Sequence, residues 1–79
     1  MQTVTLVNMK PGKKGTIVRI DGGSSLEKRL GVMGLGVGKH LTKLSAFVLR
    51  GPVAVRAGRT VVALGHSMAV KIWIQLEKI

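Results

Sequence analysis

Three carboxylates and two histidines are the side chains of this 79-residue chain that could carry acid–base or metal chemistry: Asp21, Glu27, Glu77, His40 and His66. A catalytic carboxylate pair or a two-metal site would require these groups to converge from distant segments. Each histidine lacks H-x-x-H spacing and is more typical of an ordinary strand or turn residue. Cysteine is absent, which removes thiolate ligands and nucleophiles. We therefore expect no catalytic residue, no metal site and no cofactor.

The glycine-rich segment 31–38 invites comparison with phosphate-binding loops. Gly38-Lys39 is followed by His40, whereas a P-loop continues with Ser or Thr. Gly34-Leu35-Gly36 follows a predicted helix, whereas a dinucleotide-binding loop opens one. Nucleotide binding is not expected.

The formal charge of +10, from 13 Lys and Arg against 3 acids, favours an anionic partner. That partner would be nucleic acid, an acidic protein face or an anionic lipid surface. The basic residues are mostly scattered singly, which is equally typical of a solvated surface. Phe47 and Trp73 are the only aromatic residues, whereas single-strand binders usually stack bases on several. A small basic RNA- or DNA-binding barrel is the alternative that we keep.

The segment 24–35 is the clearest predicted helix. Ser24 followed by Glu27 has the form of a capping box. One apolar stripe, at i, i+4 and i+7, consists of Leu26, Leu30 and Met33.

The end of this helix is also encoded. Gly34 can adopt the left-handed conformation that closes a helix, and Leu35 can make the accompanying apolar contact. Gly31 costs about 1 kcal/mol in a helix interior. Either the helix is short, or another backbone passes close to Gly31.

The other elements read as short strands. Strands are predicted over 3–7, 16–20, 39–48, 53–56, 60–64 and 72–76, with a hairpin at 53–64. Leu41 and Leu44 would face opposite sides of the third strand, which indicates a bulge. Ser67 is predicted to cap a single helical turn through 68–70. This pattern favours a mainly β fold: a small antiparallel barrel of five to six strands with one inserted helix.

Hydropathy predicts no membrane span, although the mean hydropathy is +0.33. A span needs roughly 18 apolar residues, and the longest stretch without a charged residue is 60–70. The opening residues 1–5 lack the basic region of a signal peptide. We expect one cytoplasmic domain over residues 1–79.

The order of these features resembles the FeoA family. The matching pieces are Met9–Gly12, Gly15–Ile20, Gly22-Gly23, Arg29-Leu30, Met33–Leu35, Val37-Gly38, Gly51–Val53, Ala63-Leu64, Ala69 and Ile72. Two places depart from the family pattern. Gly31-Val32 stands where larger residues are usual, and Arg50-Gly51 stands where an acidic residue often precedes the proline.

The resemblance implies an SH3-like barrel with the helix between strands 2 and 3, and no catalytic activity. It also implies docking on the cytoplasmic side of FeoB, a membrane permease with a GTPase domain, and modulation of ferrous-iron uptake. Some related barrels are C-terminal domains of metal-dependent repressors, but this chain has no DNA-binding helix-turn-helix.

Apolar residues expected to be exposed, with basic residues nearby, are the candidates for partner binding. They are Leu35, Val37, Phe47, Val48, Leu49, Lys28, Arg29 and Arg50. For Leu35, core packing is the stronger expectation. A homo-oligomer formed through an edge strand or the Leu49 region is a further possibility.

Overall fold

The structure, a computed structural model, describes residues 2–46 and 51–77. Its elements in chain order are β1 (Thr3–Thr5), β2 (Lys14–Ile20), α1 (Gly23–Val32), β3 (His40–Ala46), β4 (Val53–Ala57), β5 (Thr60–Leu64), α2 (His66–Ala69) and β6 (Ile72–Leu76). No helix within these ranges is long and apolar enough to cross a membrane.

The strands form one antiparallel sheet in the order β1-β6-β2-β3-β4-β5. The last strand along the chain therefore lies between the first two. The helix α1 connects β2 to β3, as predicted. The mainly β fold with a single substantial helix is confirmed.

One face of the curved sheet and the inner side of α1 enclose the core. Alternate strand residues point inward because successive side chains of a strand face opposite sides. The buried apolar residues are Leu6, Met9, Ile17, Ile20, Leu30, Leu35, Leu41, Val53, Val55, Leu64, Ala69, Ile72 and Ile74.

Two irregularities bend the sheet. The register shifts between Ile17 and Arg19 where β2 pairs with β6, and between Lys43 and Ser45 where β3 pairs with β4. Such bulges increase local twist, which helps a short sheet curve around its core. The predicted bulge in the third strand is confirmed, and the bulge in β2 was not anticipated.

The start of α1 differs from the prediction. Gly22 is the N-cap, no side chain caps the helix, and the Ser24–Glu27 capping box is wrong. The chain turns two residues earlier than expected because Gly22 and Gly23 adopt positive φ angles of 155° and 79°. A Cβ on Gly22 would lie 2.5 Å from Leu26 Cδ2, so Leu26 occupies the space beside this glycine.

The end of α1 confirms the predicted glycine closure. Gly34 has φ +81°, its N–H donates to Gly31 O at 3.0 Å, and the Leu35 N–H donates to Leu30 O at 2.8 Å. These two bonds define a Schellman motif. The helix ends at Val32, and nothing lies within 4 Å of a Cβ built on Gly31. The helix is therefore short, and the Cβ position of Gly31 is open although Gly36 of the following loop lies near Gly31 Cα.

The second helix, α2, is a single turn that begins at His66. Its N-cap is Gly65, whose carbonyl accepts from the N–H groups of Met68 and Ala69. The predicted cap by the Ser67 side chain is wrong, because the turn starts two residues earlier than predicted and Ser67 lies inside it.

Lys43 is a lysine inside the core, only 1% exposed. Its Nζ donates to the backbone carbonyls of Leu6 (2.9 Å), Val7 (3.1 Å) and Met9. Burial lowers the pKa of Lys43, because desolvation penalises the charged ammonium. The side chain ties the segment after β1 to the middle of β3.

Candidate partner-binding surfaces

The end of α1 and the loop that follows it carry exposed apolar and basic residues. Val32 is 90% exposed and Val37 is 57% exposed. Lys28 and Arg29 are exposed on the helix. We call these four residues the helix-end patch.

The loop after α1 is held in place by backbone contacts. A Cβ on Gly36 would lie 3.9 Å from Gly31 Cα, so the loop returns to the last turn of the helix. The Gly38 N–H donates to Ile17 O at 2.8 Å, which fixes the loop to β2. Val37 is therefore presented from a tethered loop, which reduces the entropy lost on binding a partner.

Leu35 is not part of this surface. It is fully buried and belongs to the core, so the expectation that it is exposed is wrong. The Schellman closure explains this result, because it directs the residue after the left-handed glycine back onto Leu30. Core packing, the stronger of the two expectations for Leu35, is confirmed.

The other four predicted residues of the partner surface, Phe47, Val48, Leu49 and Arg50, lie outside the described residues. Their role in binding stays a prediction. Of the eight candidates, the structure places Lys28 and Arg29 on α1 and Val37 in the loop that follows it, all three exposed.

A second surface is the outer face of the sheet, opposite the core. Lys14 pairs with Thr42, and Thr42 pairs with Arg56, so these residues form a row across β2, β3 and β4. With His40, they line a shallow depression of about 160 Å³, which Glu77 also borders. This face can attract anionic groups, although the carboxylate of Glu77 offsets part of the positive charge.

His40 and His66 show no sign of a metal site. His40 Nδ1 lies 2.9 Å from Thr16 Oγ1, a hydrogen bond between neighbouring strands. His66 lies in α2 and is half-buried. Within the described ranges, no three His, Cys, Asp or Glu side chains are grouped as a metal site would need.

Trp73 belongs to a polar cluster at the other end of the outer face. Its Nε1 donates to Asp21 Oδ2 at 2.8 Å, and the Arg19 guanidinium lies 4.7 Å above the ring centroid. Arg19 Nε also pairs with Asp21 Oδ1 at 3.0 Å. Because Arg19 covers one face of the ring, Trp73 is a poor platform for base stacking.

Two features of these surfaces were missed from the sequence. Val32 follows Leu30 by two positions and lies off the apolar stripe of α1, so its exposure was readable from helical periodicity. The row of Lys14, Thr42 and Arg56 required the strand register, which sequence patterns do not give.

Comparison with known proteins assigns the family. The model of the FeoA domain matches residues 4–76. An iron uptake regulatory protein (FeoA) of known crystal structure is 30% identical, with a TM-score of 0.87 over 98% of this chain and 100% of that one. No curated protein matches the chain significantly.

Two further structures share the fold. A FeoA protein from Chlorobium tepidum is 20% identical, with a TM-score of 0.82 over 92% of this chain and 70% of that one. A manganese-dependent transcriptional repressor is 24% identical, with a TM-score of 0.84 over 95% of this chain but 42% of the repressor. These likenesses and the sheet confirm the predicted SH3-like fold. Because the family model spans nearly the whole sequence, the chain belongs to the FeoA family.

Proposed function

We propose that this protein is a non-enzymatic accessory protein of ferrous-iron uptake. In this proposal, residues 1–79 act as one cytoplasmic domain that docks on the cytoplasmic side of the FeoB permease and modulates it. The association with the membrane runs through the permease. Membership of the FeoA family already indicates a part in ferrous-iron transport, and the docking step is what we add.

The helix-end patch is the observation that supports docking. Val32 at the end of α1 and Val37 in the loop after it expose apolar surface, and Lys28 and Arg29 are exposed on α1. Protein interfaces commonly combine an apolar centre with charged residues that orient the partner. These basic charges would pair with acidic residues of the partner.

The test is binding of the full-length protein to the purified FeoB permease of the same organism, measured by interferometry in detergent. We expect Val32→Asp and Val37→Asp each to weaken binding at least about tenfold, because each places a charge in the apolar centre of the interface. Both side chains are exposed, so the fold tolerates the change.

Val70→Asp is the matched control. Val70 is also exposed and lies at the end of α2. The adjacent Lys71 carbonyl accepts from the Asp21 N–H, just before α1 begins. Val70 therefore lies near the start of α1, whereas Val32 lies at its end, and the helix is about 15 Å long. If Val32→Asp and Val37→Asp bind like Val70→Asp, the helix-end patch is not the docking site; if the unmodified protein does not bind FeoB, docking itself is refuted.

The alternative function is nucleic-acid binding. It is supported by the row of Lys14, Thr42 and Arg56 on the outer face of the sheet, which carries two basic side chains. Phosphate contacts would make affinity fall steeply as salt rises. A titration with single-stranded RNA at several salt concentrations separates the two functions. Tight binding that Lys14→Gln and Arg56→Gln abolish would favour the alternative over docking.

A further inference from the structure

The strand β5 is one of the two edge strands of the sheet, the other being β1. It ends the strand order and pairs only with β4 among the described strands. The two strands are joined by the two-residue turn Gly58-Arg59, with Gly58 at φ +62°. Ala57 and Thr60 flank this turn, which makes them a hydrogen-bonded pair.

The register then fixes which backbone groups point away from the sheet. Hydrogen-bonded and non-hydrogen-bonded pairs alternate along an antiparallel ladder. Val62 and Leu64 therefore direct their N–H and C=O groups toward β4, and Val61 and Ala63 direct theirs outward. The outward groups of Val61 and Ala63 are those that an added strand would pair with.

This edge lacks the usual protection against strand pairing. Natural edges are blunted by charged residues, proline or bulges. The sequence from Thr60 to Leu64 contains no charge and no proline, and its pairing with β4 is regular. Val61 is 57% exposed. Such an edge is expected to be covered by a partner.

The surroundings of β5 specify what could cover it. On the outer face, Arg56 lies directly opposite Val61, and Arg59 is exposed in the turn. On the inner face, Val62 is half-buried beside the core. An added strand would therefore place acidic side chains near the arginines and apolar side chains beside Val62.

A second copy of this chain does not meet that description. Its edge strands β1 and β5 contain no acidic residue, and each copy carries a net charge of +10. Repulsion between two such copies opposes pairing. We propose that β5 accepts, as an added strand, an extended protein segment in which apolar and acidic residues alternate. This surface contains none of the four residues of the helix-end patch, and the proposal does not depend on the identity of the permease.

The probe is a blocked seven-residue peptide that alternates Val and Glu, titrated into the ¹⁵N-labelled full-length protein. We expect saturable amide shifts centred on Val61 and Ala63, and slower hydrogen exchange at these two amides. The same peptide with Lys in place of Glu should bind at least about tenfold more weakly, because it meets like charge.

Ala63→Pro tests the backbone contact. Proline removes the outward N–H of Ala63 and leaves the ladder with β4 intact, and we expect binding about fivefold weaker, the size of one lost hydrogen bond. Arg56→Gln tests the charge and does not alter the backbone, with the exposed Lys71→Gln as its matched control. Arg56→Gln should weaken binding and Lys71→Gln should not.

The proposal is overturned if millimolar acidic peptide gives no saturable shift at Val61 and Ala63, or if the shifts centre elsewhere. It is also overturned if the Lys peptide binds equally well. Sedimentation tests whether a second copy of the chain covers β5 instead. If the unmodified protein is a dimer and Ala63→Pro is a monomer, a second copy covers β5 and the proposal is wrong.

Discussion

At the scale of single residues, Lys43 has the greatest structural consequence. A buried ammonium without a carboxylate partner is unusual, because desolvation of a charge is costly. Here three backbone carbonyls, all in the turn after β1, replace the water shell. The ammonium of Lys43 therefore supplies the hydrogen-bond donors that these carbonyls, which lie outside the sheet, do not receive from a neighbouring strand.

We expect Lys43→Met to lower the free energy of unfolding by about 2–4 kcal/mol, because it leaves the buried carbonyls of Leu6 and Met9 without a donor. Urea denaturation followed by Trp73 fluorescence measures the change. Lys13→Met, at an exposed position, is the control and should change stability by less than about 0.5 kcal/mol. Equal stabilities of the two variants would contradict the structural role of Lys43.

The lowered pKa of Lys43 also gives a pH dependence. In the unfolded chain this side chain titrates near 10.5, and burial lowers its pKa in the native state. Between the two values the unfolded chain binds more protons, so the contribution of Lys43 to unfolding free energy rises with pH in that interval. Below the native pKa, this contribution is constant.

The measurement is the ¹³Cε chemical shift of Lys43 as a function of pH in the intact protein. Its midpoint should lie below 10.5, the ordinary pKa of a lysine side chain. A Lys43 midpoint at or above this value would show that the carbonyls favour the ammonium more than burial penalises it.

The burial of Lys43 was not predicted from the sequence. A lysine in a predicted strand is ordinarily solvated, and the bulge after Lys43 changes which side chains face inward. Likewise, the hydrogen bond from Trp73 to Asp21 depends on the pairing of β2 with β6. Local patterns fail where a contact joins distant segments.

At the scale of elements, two glycines of the α1 region differ in backbone conformation: one is helical and the other has a positive φ. Gly31 lies in the helix with open space where a Cβ would be, and Gly34 has the positive φ of the closure. We expect Gly31→Ala to raise the free energy of unfolding by about 0.5–1 kcal/mol. Gly34→Ala should lower it by about 1–2 kcal/mol, because alanine is strained at positive φ. Thermal denaturation of both variants measures the effects.

The pair of variants is its own control, because both make the same chemical change three residues apart. Shifts of the same sign in the two would contradict the helix end at Val32. The sequence predicted this end correctly because glycine and an apolar residue after it are a local signal. It misplaced the start, because two glycines permitted an earlier turn than the serine suggested.

At the scale of the whole molecule, the net charge of +10 acts on stability. Like charges repel more strongly in the compact state than in the unfolded chain. We expect the melting temperature to rise when sodium chloride is increased from about 10 mM to about 150 mM, which shortens the Debye length from about 30 Å to about 8 Å. Each 1 kcal/mol of relieved repulsion corresponds to about 4–8 °C.

A variant with Lys10, Lys28 and Lys71 replaced by Gln is the comparison, since all three are exposed. Its melting temperature should rise less with salt. If the unmodified protein and the triple variant respond equally, surface repulsion does not limit stability. The same salt series shows how salt changes the stability of the protein, so that this effect can be separated from the effect of salt on binding in the experiments above.

Most of the fold was predictable, because short strands, turns and one helix each leave local signals and their order matched a family. The order of strands in the sheet was not predictable from these signals, and the candidate surfaces depend on it. The outer row through Arg56 and the free edge at β5 both follow from pairing between distant segments.

The place of β6 in the sheet has a consequence for synthesis of the protein. The strand is made last of the six described, yet it lies between β1 and β2 and supplies the pairing partner of both. Until residues 72–76 have left the exit tunnel, β1 has no partner and the side of β2 that receives β6 is unpaired. The nascent chain therefore exposes both of these edges to chaperones until its last described strand is free.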